Sequence, residues 1–167
     1  MSSEAFIKKP RDWVAKVVQD LGERMGTNID TVYKRKPSEL KETTISYQVG
    51  ELEAVNEFSC DGRHKHDIEL RFLVEVPTSI NDFDLEAMDA SARIEREILN
   101  MNESVSPDTE TARVVSNLPS QFSPVLGVFA RTVTIRQQIM MGPVEEEYGK
   151  LAGWELSHGD SETNPGA

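Results

Sequence analysis

Cysteine is nearly absent from this chain. Cys60 stands alone among 167 residues, so no internal disulfide can staple the fold, and Asp61 beside it disfavours the thiolate that a reactive cysteine needs. Long apolar runs are missing too: nothing approaches the ~18 residues of a membrane span. The opening "MSSEAFIKKPRDW" lacks the apolar stretch of a secretion signal. The expectation is a soluble protein made inside a cell, with no membrane partner. Cations are outnumbered, 18 Lys and Arg against 29 Asp and Glu, for a net charge of −11. That balance argues against tight binding of a phosphate backbone, which needs clustered positive charge.

Familiar chemical motifs are lacking as well. There is no phosphate-cradling glycine loop and no GxGxxG. No serine sits in a nucleophile-elbow setting, and Cys60 has no evident base and orienter. The carboxylates of "EREIL" and "VEEEYG" read as solvated faces rather than an acid/base pair. No catalytic residue and no cofactor is expected.

What is present is clean periodicity. In "DWVAKVVQDLGERMG", Trp13, Val14, Val17, Val18, Leu21 and Met25 recur at helical spacing opposite Lys16, Gln19, Asp20, Glu23 and Arg24. Pro10 and Gly26 punctuate this helix, while Gly22 inside it counts against helix propensity. The stretch from Lys34 to Val49 contains Pro37 and reads as an exposed loop entering a strand near Thr44. Two strands then flank Asp61-Gly62, a pair preferred in tight hairpin turns. In the second, Ile68, Leu70, Phe72, Val74 and Val76 share one face, and Asp67, Glu69, Arg71 and Glu75 the other, which is expected to meet water or a partner subunit. A helix over "FDLEAMDASARIEREILNM" follows, then strands in "RVVSNL" and "VLGVFARTVTIRQQI". This order implies an α+β domain over 1–141, a mostly antiparallel sheet with two helices packed on one face.

His64 and His66 are separated by one residue and, in a strand, fall on one face. A metal would need further ligands, with Asp61 or His158 as the candidates. The competing reading is structural: both extend the even-numbered row of Ile68 and Leu70 where it emerges beside the turn. No second ligand pair stands at zinc-like spacing, and no metal is assigned. Residues 142–167 form a Gly-, Ser-, Asn- and Pro-rich acidic extension, expected to be partly disordered. Within it Trp154, Leu151 and Leu156 have no local core to enter, so they are candidates for a docking or subunit interface.

From Arg11 to Ile139 the layout resembles the bacteriophage tail terminator (tail-completion) proteins. The resemblance is carried by the opening amphipathic helix, the hairpin "VGELEAVNEFSCDGRHKHDIELRFLVEVP", the helix "FDLEAMDASARIEREIL" and the closing "RVVSNLPSQFSPVLGVFARTVTIRQQI". The segment after Ile139 departs from that pattern. The resemblance implies a non-enzymatic virion component, built in the host cytoplasm, that caps the tail tube as a homo-hexameric ring and offers the head its joining surface. Its partners would be further copies of itself, the tail tube protein and a neck or head-completion protein. Six copies would carry about −66 charges, so DNA would pass the channel without specific binding. Two alternatives are a head-completion or neck connector protein, and a small metal-dependent enzyme using His64 and His66.

Overall fold

The alternation that marks the second hairpin strand in sequence places that strand at the centre of the molecule. The computed structural model describes residues 7–58, 62–101 and 109–142. Its elements are helix α1 (Pro10–Met25), a two-residue strand β1 (Asp30–Thr31), strands β2 (Thr44–Phe58) and β3 (His64–Pro77), helix α2 (Phe83–Met101), and strands β4 (Arg113–Ser123) and β5 (Val128–Met141). The sheet order is β1-β2-β3-β5-β4, antiparallel throughout except for the parallel β1–β2 pair. This is the expected α+β class, with α2 on β3 and β5 and α1 packed against α2.

Each element follows from local chemistry. Pro10 opens α1, and the Lys9 N–H donates to Asp12 Oδ2 at 3.1 Å, satisfying a donor that the first turn cannot. Gly26, at φ 69°, ends it, with the Thr27 N–H returning to the Gly22 carbonyl at 3.0 Å. The structure supplies a reason for Gly22: a Cβ there would stand 2.8 Å from the Thr27 carbonyl oxygen, so a side chain would block the closing turn.

The apolar row of β3 (Ile68, Leu70, Phe72, Val74, Val76) is buried beneath the helices. Val133 and Ile135 of β5 flank it through the pairings Phe72↔Val133 and Leu70↔Ile135. Ala87, Ile94, Ile98 and Met101 of α2 and Trp13, Val17 and Leu21 of α1 complete the core. Trp13 has its indole N–H satisfied, donating to Gln137 Oε1 at 3.0 Å, which ties α1 to β5.

The opposite face differs from expectation. It does not simply meet water: Asp67, Glu69 and Glu75 are buried on it. Near Glu75 the cover includes the start of the stretch read as an exposed loop from Lys34 onward: between the short turns Val32–Lys34 and Pro37–Glu39, the Arg35 Nη1 comes to 2.6 Å from Glu75 Oε2. Two strands also differ in extent. β4 runs past Leu118 and through Pro119 to Ser123, which an edge position allows because Pro lacks an N–H to offer a neighbour. β5 begins at Val128, since Gly127 takes φ 65° in the preceding turn.

Candidate assembly interface

The two histidines lie where β3 leaves the core. His66 pairs with Ala54 and Ile139, and His64 with Phe58 and Met141. The rings stand 6.4 Å apart, and His66 Nδ1 is 3.4 Å from the His64 carbonyl oxygen. Among the described residues no group of three or more His, Cys, Asp or Glu side chains could hold a metal ion. The further ligands weighed from sequence, Asp61 and His158, lie outside the described residues. So do Trp154, Leu151 and Leu156.

A groove of about 560 Å³ runs beside α1, lined by residues including Val18, Gly22, Gly26 and Ile29. Its lining carries one carboxylate, Glu23, and no second titratable group to serve as a partner in acid/base chemistry. No helix among the described residues is long and apolar enough to cross a membrane.

The sheet face away from the helices carries a charge network that sequence reading missed. Arg136 of β5 is its hub, with Nε 3.0 Å from Asp67 Oδ1 and Nη1 3.1 Å from Glu51 Oε2 and 3.5 Å from Glu69 Oε2. Its Nη2 lies 3.5 Å from Glu53 Oε2. Arg71 Nε donates to Glu69 Oε1 at 2.6 Å, and Arg113 Nη2 lies 3.3 Å from Asp67 Oδ2. Alternation marked the acids as sharing one face, but only the β3–β5 register, Glu69↔Arg136, brings the arginine among them. Gly50 makes room, because the Glu69 carboxylate lies where a Cβ on β2 would be. Each of these carboxylates has an arginine within 3.5 Å, so the network largely compensates its own charge. Toward the other end of this face, burial raises the Glu75 pKa from its ordinary value, and the Arg35 guanidinium opposes that shift in part.

The exposed apolar surface is concentrated elsewhere. Arg93 and Glu97 turn one flank of α2 toward Arg24 of α1. The other flank, toward β4, carries Leu85, Met88 and Leu99. Together with Val115 and Phe122 of β4 these side chains are 46–60% exposed. Val125 and Leu126 continue the apolar surface at the β4–β5 turn. Asn117 of β4 holds this corner to α2 through its Nδ2, 3.1 Å from Ser91 Oγ. The arrangement offers binding surface rather than reactive groups.

No protein-family model matches the chain, and no curated protein matches it. Among solved structures, a chain of the "Virion of native gene transfer agent (GTA) particle" is similar in fold, with a TM-score of 0.51. The match covers 75% of this chain and 92% of that chain, at 14% sequence identity.

Proposed function

We propose that this protein is a structural component of a phage-like virion, a non-enzymatic tail terminator that caps the tail tube as a hexameric ring and presents the surface to which the head joins. The observation that carries the reading is the likeness in fold, over most of both chains, to a component of a gene transfer agent virion. Two features are compatible with it. The distinctive surfaces among the described residues are an apolar flank and a face of paired charges, which suit contacts between proteins. A net charge of −11 per copy lets DNA pass a channel without adhering. In this reading residues 142–167 are an extension of the 1–141 domain, and Leu151, Trp154 and Leu156 anchor contacts between subunits. The partners are further copies of the chain, the tube protein and the neck.

The test is assembly of tails with and without the protein. Tubes made without it should be over-long or unable to join heads, and adding it should cap tube ends seen by electron microscopy. Truncation after Met141, or Trp154→Ala, should weaken capping with the thermal midpoint nearly unchanged. Tubes of normal length that join heads normally in its absence would refute the terminator role. Binding to the head side with no effect on tube length would favour the neck protein instead.

A further inference from the structure

We propose that copies of this chain join edge to edge, the outer edge of β4 in one copy pairing antiparallel with the outer edge of β2 in the next. This rests on the ring reading only in taking a second copy as the occupant. The rest follows from the two edges.

Both edges are open among the described residues. β4 is the last strand on its side, and β1 covers β2 only at Ser46 and Tyr47, leaving the edge from Gln48 onward without a strand. Open edges of this length present rows of unpaired backbone donors and acceptors, the template on which another chain pairs. Directions also agree. Antiparallel pairing holds from β2 through β3 and β5 to β4, so β2 and β4 run oppositely, and a β2 placed beside β4 continues the alternation.

The side chains match on both faces. On the helix side, Val49 and Leu52 of β2 are each 48% exposed, beyond the reach of their own helices. On the same side of β4 lies the apolar flank of α2, whose Met88 and Leu99 are 46% and 52% exposed. On the other side, β2 presents Glu51 and Glu53, and β4 presents Arg113, with side chains 63%, 64% and 64% exposed. Setting Glu53 opposite Arg113 puts Leu52 opposite Val114, Val49 opposite Asn117 and Gln48 opposite Leu118. Every one of these pairs then lies on a common face, and the irregularity of β2 between Val49 and Leu52 falls against that of β4 between Val114 and Ser116. The contact uses two different surfaces of the chain, so it is heterologous and repeats from copy to copy, as a ring requires.

The register is testable by disulfide trapping in the full chain carrying Cys60→Ser. Within one copy, Gln48 and Leu118 are separated by three strand spacings, about 14 Å, too far for an intrachain disulfide. The double variant Gln48→Cys/Leu118→Cys should therefore give a ladder of covalent oligomers under mild oxidation. Mixing the two single variants should give only the mixed dimer. Independently, Glu53→Arg should weaken self-association about tenfold, and adding Arg113→Glu should restore it. Monomers with free thiols after oxidation of the double variant, or dimers of either single variant alone formed as readily as the mixed one, would overturn the proposal. These experiments contain no tail tubes. Failure of the terminator role would leave their outcome intact, and their failure would leave the tube-capping result to stand or fall separately.

Discussion

Arg136 donates from Nε to Asp67 Oδ1 at 3.0 Å across the central β3–β5 pair, on the face of the sheet away from α1 and α2. The two side chains are only 19% and 10% exposed, so neither charge is fully hydrated; Arg136 is compensated by Asp67, Glu51, Glu53 and Glu69, and Asp67 by Arg136 and Arg113. Removing the hub would leave four carboxylates facing one another.

Arg136→Met is accordingly expected to lower stability by about 3 kcal/mol at pH 7, the lower end of the range for breaking a buried pair, because the acids of β2 can turn to water. Urea denaturation of both proteins measures this, and a midpoint close to that of the unaltered protein would show that packing of the aliphatic stem, which Met largely keeps, and not the charge is what matters.

Phe72 lies at the centre of the apolar row with 0% exposure. Phe72→Ala should destabilise the fold by about 3–5 kcal/mol, through lost burial and the cavity left behind. A chemical-denaturation midpoint close to that of the unaltered protein would contradict the packing of both helices on this face.

Glu75 gives a pH signature of the opposite sign to that of most paired acids. Its folded pKa is raised above the ordinary 4.5 by burial, so its neutral form favours the fold. The associated stability is fully present below the unfolded pKa and is lost as pH rises through the folded one. Measured as the difference between the unaltered protein and Glu75→Gln, stability should therefore decline with rising pH from about 4.5 upward and then level off. A difference that grew with pH would mean that Arg35 outweighs desolvation.

The histidine pair is expected to be structural. Replacing His64 and His66 together by Asn should leave tube capping intact, and protein purified without a histidine tag should carry no stoichiometric zinc or manganese. Elemental analysis decides the point, and metal lost together with function in the double variant would restore the enzymatic alternative.

Much of the fold was legible because its signals are periodic and local. The 3.6-residue spacing of Trp13, Val14, Val17 and Leu21 and the strict alternation from Ile68 to Val76 each select one backbone geometry that buries a single face. α2 occupies Phe83–Met101, the stretch its pattern marked, and two helices cover one face of the sheet. The remaining boundaries were not legible, because they depend on neighbours. β4 could extend through Pro119 only once it lay at the edge, and Gly22 reads as a flaw in α1 until Thr27 is seen closing over it.

Composition and pattern alone thus determined the fold class and the buried rows, since both follow from residue type and spacing along the chain. The site-level features were decided by tertiary structure. Arg136 stands 69 residues from Asp67, and Arg35 stands 40 from Glu75. No local spacing couples such partners. The strand register that brings the first pair together, and the fold of the 32–43 segment over Glu75 that makes the second, are set by burial of the opposite face. The charged network, the buried acid and the two open edges are consequences of that packing.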